Sequence, residues 1–183
     1  MIIHKGTQII HTNRFLLRKF ESTDAEDMFY NWANDENVTR YLIWDAHPTV
    51  QHTRIILEQW LNGYSKLSYY NWAIVLKTTK YPIGSVGVVS QKDDLSTCEV
   101  GYCIGRRFWN HGIMTEVLSS VLEYLIEEVG YSRIEALHDV FNVASGKVMK
   151  KCNMTYLGNK RNGLYRKDGS QADLAMYAII NKK

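Results

Sequence analysis

The sequence predicts one α/β domain of the α+β kind: a mixed, mostly antiparallel, twisted sheet of about seven strands flanked by about four helices. Three observations carry this. The 183 residues, 45% hydrophobic and 22% charged, suit an ordinary globular chain with one core and leave little room for a second. Runs of strand formers and runs of helical period follow one another as strand, helix, helix, three strands, helix, strand, helix, two strands. Residues 97–129 read as a strand, a loop and a long helix, and the next strand after Gly130 makes this a crossover unit.

Gln8 to Arg18, with Ile9, Ile10, Phe15, Leu16 and Leu17, reads as the first strand. Glu21 to Asp24 opens a helix capped by Ser22 or Thr23, with Ala25, Met28, Phe29, Trp32 and Ala33 on its apolar face, and Asn34 to Asn37 ends it. Val38 to His47 is a loop crowded with Tyr41, Leu42, Ile43 and Trp44. Thr49 caps a second helix that stops at Gly63. Trp72 to Leu76 and Ile83 to Val89 are strands joined by a turn over Lys77 to Pro82.

The stretch that organises the chain begins Thr97-Cys-Glu-Val-Gly-Tyr-Cys-Ile-Gly105 and ends in a helix with Met114, Val117, Leu118, Val121, Leu122, Leu125, Ile126 and Val129 on one stripe. Where that helix starts, around Gly112, free backbone N–H groups and a partial positive charge can receive a phosphate, and a residue without Cβ lets the ligand come close. Ser132 to Val140 is a further strand, and Asn142 starts a short helix that runs to Cys152. Met154 to Leu157 and Ala172 to Ile180 are the last strands, joined by a basic loop, Lys160 to Gly169.

Composition narrows the function classes. No apolar run approaches the ~20 residues of a membrane span, and the first residues lack a signal-peptide pattern, so a cytoplasmic location without membrane partners is expected. Cys98, Cys103 and Cys152 form no C-x-x-C, and the 6 histidines form no ligand pattern, so no metal is expected. A net charge of +3 permits an anionic ligand without indicating nucleic acid.

Four local patterns resemble those of the GNAT-superfamily N-acetyltransferases, and within them the ribosomal-protein N-terminal acetyltransferases, over nearly the whole chain. They are Thr12-Asn-Arg14-Phe-Leu-Leu-Arg18 followed by Asp24-Ala25, Tyr41-Leu-Ile-Trp44 with His47, Glu99-Val-Gly-Tyr102, and Asn142-Val-Ala-Ser145 with Val148 beyond it. The superfamily's signature Gln/Arg-x-x-Gly-x-Gly/Ala falls on Trp109-Asn-His-Gly112-Ile-Met114. Its central Gly is kept and Trp109 is common in that branch; Asn110 stands in place of a frequent Gly and Met114 in place of a small residue, and these two are departures.

The resemblance implies a single N-acetyltransferase domain over residues 1–183 that uses acetyl-CoA as co-substrate. The backbone of Asn110, His111, Gly112, Ile113, Met114 and Thr115 would then hold the pyrophosphate, with a contact from the Thr115 hydroxyl and Trp109 beside them. Cys103 and Ile104 would run beside the pantetheine arm, Asn142 would meet one of its amides, and Lys147 would meet the 3′-phosphate. Glu99 is the candidate base and Ser145 the candidate partner of the leaving sulfur. Trp32, Tyr41, Trp44 and Trp72 are the expected acceptor wall.

Each residue also has an ordinary structural reading: Asn110 and Asn142 as helix caps, Cys103 as a small buried hydrophobe, Glu99 as a solvated strand acid, the lysines as a wet helix face, the aromatics as core. The acceptor implied is a primary amine: a protein N-terminal α-amine, such as that of a ribosomal protein, with a polyamine or aminoglycoside as the alternative. The chain would act as a monomer or homodimer. The rival of another class is an RNA- or ribosome-binding module using Lys147 to Lys151 and Lys160 to Lys167.

Overall fold

In the computed structural model, which describes residues 2–181, the first expected strand is two short ones, β1 (Ile10–His11) and β2 (Phe15–Arg18), paired antiparallel. Thr12 makes the turn between them: its Oγ1 accepts from the Phe15 N–H at 2.9 Å, and its own N–H donates to the Phe15 carbonyl at 2.9 Å. The following helix begins as a 3₁₀ turn at Ser22–Asp24, continues as α1 (Ala25–Met28) and closes with a π-helical turn, Phe29–Ala33. Its cap is Glu21 rather than Ser22 or Thr23. The Asp24 carboxylate accepts from the Glu21 N–H at 2.8 Å and is gripped by Arg18 at 2.7 and 2.8 Å, so the start of the helix is set one residue earlier.

The expected loop from Val38 opens inside a helical turn, α2 (Glu36–Thr39), because Asp35 caps it by accepting from the Asn37 N–H at 2.8 Å. Thr49 caps α3 (Val50–Gly63) as expected, accepting from the His52 N–H at 3.1 Å. Strands β3 (Asn71–Leu76), β4 (Pro82–Lys92) and β5 (Thr97–Ile104) follow, then α4 (Ile113–Glu123), which runs through a π-helical turn to Val129. The last elements are β6 (Arg133–Asp139), α5 (Val143–Lys151), β7 (Thr155–Tyr165) and β8 (Gln171–Ile180). The basic stretch from Lys160 to Tyr165 is thus strand, not loop: Lys160 pairs with Leu174 and Leu164 with Ala172. Its edge position leaves most of its side chains in solvent, so no apolar alternation marks it.

The eight strands form one sheet in the order β1-β2-β3-β4-β5-β6-β8-β7. Only β5 and β6 run parallel, which the α4 crossover requires. Helices cover the sheet on two sides. Val117, Leu118 and Val121 of α4 and Met149 of α5 pack on one face with Val100, Ile134 and Ala136. Ala25, Met28, Trp32 and Leu57 pack on the other with Ala73 and Val75.

Candidate active site

The site starts where a strand pair stops. The β5–β6 ladder runs from Thr97↔Arg133 to Glu99↔Glu135 and ends there, although both strands continue. Beyond this point β5 has no strand on its β6 side, and a cavity of about 530 Å³ fills the parting. Tyr102 and Ile104 line it from the face that carries α4 and α5, and Cys103 from the opposite face, so the opening passes through the sheet.

The start of α4 forms one wall. Gly112 takes φ +71°, and beyond its two chain neighbours a Cβ built there would find no protein atom nearer than Arg14 Nη2 at 3.9 Å. The position is therefore open on the side from which a ligand would approach. Asn110 takes φ 62°, and Asn is among the few residues that tolerate this left-handed region, so its departure from Gly preserves the loop. Met114 is 7% exposed: most of its side chain is turned into the core with Val117 and Leu118. Trp109 lines the cavity and ties loop to strand, its Nε1 donating to the Ile104 carbonyl at 2.9 Å. Ile113 and Thr115 also line the cavity; exposed His111 does not, and its carbonyl accepts from Arg14 Nη1 at 3.1 Å.

The start of α5 forms the second wall, with Asn142, Ser145, Lys147 and Lys151. Asn142 is the cap, its Oδ1 accepting from the Ser145 N–H at 3.4 Å. Ser145 Oγ lies 2.9 Å from the Tyr102 hydroxyl, which is also 3.1 Å from the Ser145 carbonyl. Burial pushes the Tyr102 phenol well above its usual range, more than its bond to Ser145 pulls it down, so it stays a neutral donor. Sequence reasoning missed this residue. Its signal was an aromatic hydroxyl alternating with Val100 and Ile104 on the inward face of β5.

Burial pushes the Cys98 thiol up to about 12 and raises Cys103 and Cys152 as well. None of the three is an activated nucleophile. Cys103, on the cavity wall, meets Ser85 Oγ at 3.3 Å.

Glu99 sits on the last rung before the strands part, on the same face as Gly101 and Cys103 but outside the cavity lining. Its Oε2 accepts from Ser90 Oγ at 3.4 Å. Burial raises its carboxyl above the ordinary range; neighbouring Glu135 adds to this, while Ser90 and Lys160 oppose it. Of the expected aromatic wall, only Tyr41 reaches the cavity, with Asn37, Val38 and Leu42 beside it. Trp32 and Trp72 are completely buried, and Trp44 packs against the α1–α3 core and His47. Large apolar surfaces on strands and helix stripes are more strongly drawn to the core than to a rim. Phe141, exposed above the Arg166 guanidinium, lines the cavity and was also missed.

The profile of the acetyltransferase (GNAT) domain family matches residues 14–155. The chain belongs to this family. It is an N-acetyltransferase by family and by relatives. It is 29% identical to an uncharacterized N-acetyltransferase of Bacillus subtilis, YoaA, over 96% of this chain and 98% of that one. The GNAT-family acetyltransferase of Bacillus anthracis superposes with a TM-score of 0.84 at 23% identity, covering 96% of this chain and 100% of that one. A ribosomal L7/L12 α-N-protein acetyltransferase in complex with coenzyme A gives 0.85 at 18% identity, covering 95% and 98%.

The family uses acetyl-CoA, and this site fits it: an unobstructed helix start at Gly112, a strand side of β5 without a neighbour, and two lysines at the cavity edge.

Proposed function

We propose that this N-acetyltransferase moves the acetyl group of acetyl-CoA onto a protein N-terminal α-amine, by direct attack with both substrates bound together. The observation that carries this is the parting of β5 and β6. It opens one cavity to the starts of α4 and α5 on one face and to Tyr41 and Leu42 of the segment after α2.

The backbone N–H groups from Gly112 to Thr115 would take the pyrophosphate, with Asn110 fixing the turn and the Thr115 hydroxyl adding a contact. The end of β5 at Cys103 and Ile104 would run beside the pantetheine arm. The Cys103 backbone faces Ser85 of β4 and the Ile104 carbonyl is engaged by Trp109, so an added-strand pairing would use the Tyr102 backbone and the Ile104 N–H. Asn142 would meet a pantetheine amide, and Lys147 and Lys151 the 3′-phosphate. Ser145, held by Tyr102, would hydrogen-bond the leaving sulfur. With raised thiols, and with the Tyr102 hydroxyl rather than a base hydrogen-bonded to Ser145 Oγ among the described residues, an acyl-enzyme has no support in the side chains.

Glu99 would receive the amine's proton. It lies about 13 Å along the strand from Cys103, at ~3.3 Å per residue, so the proton would travel through water. Gly101 places no side chain of its own on that track, but Val89 Cγ1 lies 2.8 Å from where a Gly101 Cβ would stand, so the water path would pass beside Val89.

A protein α-amine suits this site better than a polyamine. Among the described residues, the charged side chains lining the cavity are Lys147 and Lys151, with no carboxylate to draw a polycation in. An α-amine titrates near 8, about two units below an alkyl amine, and needs only a weak, remote base. Solved structures with this fold named as ribosomal-protein acetyltransferases include the L7/L12 enzyme and an S5-alanine enzyme of Vibrio fischeri.

Calorimetric titration with acetyl-CoA, followed by a panel of peptides with free or blocked N-termini against spermidine and an aminoglycoside, tests the proposal. Saturable binding near one site per chain and turnover of free N-termini alone are expected. Turnover confined to the small amines would replace the acceptor assignment, and no binding at millimolar acetyl-CoA would remove the site itself. Gly112→Val should weaken acetyl-CoA binding by about a hundredfold, since charge-assisted bonds from the helix start are worth roughly 1.5–3 kcal/mol each. Unchanged affinity would place the pyrophosphate elsewhere.

A further inference from the structure

The pyrophosphate site proposed above contains a charge of the wrong sign. Glu116 is the fourth residue of α4, the only acid in its first turn, and its carboxylate would repel a phosphate held by the same turn. The chain brings a counter-charge from 102 positions away in sequence. In the β1–β2 turn, Arg14 Nε donates to Glu116 Oε2 at 2.7 Å, while the Arg14 N–H and Thr12 Oγ1 donate to Oε1 at 2.8 and 2.7 Å. The same guanidinium reaches on to the phosphate loop, Nη1 donating to the His111 carbonyl at 3.1 Å. Its other end, Nη2, stands 3.9 Å from where a Gly112 Cβ would be.

These contacts do more than tie two elements together. Three donors from the turn at 12–14 meet the Glu116 carboxylate, two on Oε1 and one on Oε2, so three of its about four lone-pair sites are answered there. Pulling the His111 carbonyl toward Arg14 also fixes the peptide just before Gly112, whose orientation decides where the next N–H groups point. Burial pushes the Glu116 carboxyl up, but the bonds from Arg14 and Thr12 outweigh it and hold it below the usual range. Glu116 is therefore ionised throughout the neutral region, and the compensation is needed at every working pH.

We propose that Arg14 is a positioning residue for the acetyl-CoA pyrophosphate: it cancels the Glu116 charge at the start of α4 and holds the loop peptide at His111. The inference rests on the assignment of that pyrophosphate to Gly112–Thr115, and it turns one opening motif, Thr12-Asn-Arg14, into part of the donor site.

The test compares Arg14→Met, Arg14→Lys, Glu116→Gln and the double variant Arg14→Met/Glu116→Gln by acetyl-CoA titration, steady-state kinetics and thermal melting. Arg14→Met should lose about tenfold or more in acetyl-CoA affinity, the scale of one uncompensated charge at this range, with KM for acetyl-CoA rising more than kcat falls. Arg14→Lys, which keeps charge but not the fork, should lose less.

The double variant decides the matter. It has lost both partners of the tether, so a purely structural role predicts it to be as weak as Arg14→Met or weaker. Charge compensation predicts that it recovers most of the affinity even with a lowered melting midpoint. A double variant no better than Arg14→Met, or an Arg14→Met that binds like wild type, overturns the proposal. Failure of the wild type to bind acetyl-CoA would instead bring down the donor-site assignment beneath it.

Discussion

Under the proposed mechanism, Glu99→Gln is expected to lower kcat by about two to three orders of magnitude and to leave acetyl-CoA affinity near the wild-type value. Glu99 lies outside the cavity lining and beyond reach of the α4 loop, so the donor site should not feel the change. The pH dependence carries the sharper signature. Burial, and then Glu135, raise the Glu99 carboxyl, so the active, deprotonated form appears only above the ordinary carboxylate range. The wild-type kcat/KM should therefore rise through that raised value, and the variant should lose this limb and retain only the one set by the acceptor amine. Stability should move the other way. A carboxyl raised in the folded state favours folding below its unfolded value and costs stability as pH rises through the folded value. Near neutrality Glu99 is thus a burden on the fold, and its amide replacement should melt no lower than wild type. A variant with wild-type turnover across pH 6 to 9 would remove Glu99 from the mechanism.

What could be read from the sequence follows from how strongly each element is fixed by its own residues. The α4 stripe, the Gly112 and Gly130 boundaries, the Thr49 and Asn142 caps and the crossover were all legible, because periodic burial and cap chemistry are local signals. The cap at Ser22 or Thr23 was misplaced because Glu21 is a poor cap in isolation; a reciprocal contact with Asp24, itself held by Arg18, decides the start. The outer half of β7 was invisible since its stability lies in pairing with β8, not in its own composition. Of the expected site positions, Gly112 and Asn142 are marked by their own residue types at helix starts, and both line the cavity. Tyr102, Phe141 and the Arg14–Glu116 pair are not marked in this way, because each gains its meaning from a partner far away in the chain.

The aromatic residues show the same limit in its largest form, and one substitution measures it. Trp72→Ala is expected to cost about 3–5 kcal/mol, the range for deleting a fully buried Trp. Trp72 has 0% exposure, its Nε1 donates to the Gln8 carbonyl at 2.7 Å, and its ring packs against Tyr70 and Tyr124 with centroids 6.0 and 5.7 Å away. Truncation would therefore open a cavity, strand the Gln8 carbonyl and break two ring contacts at once. For a chain of this size the melting midpoint should fall by roughly 6–20 °C. The folded fraction should keep its KM for the acceptor, since Trp72 lies in the core rather than at the opening. Tyr41→Ala should do the reverse, raising the acceptor KM with little change in melting, because Tyr41 is half-buried at the cavity edge beneath Arg40. The two variants separate an aromatic that holds the sheet together from one that lines the cavity, a distinction that aromatic spacing in sequence does not contain. A Trp72→Ala protein that melts like wild type but binds its acceptor poorly would return Trp72 to the acceptor wall.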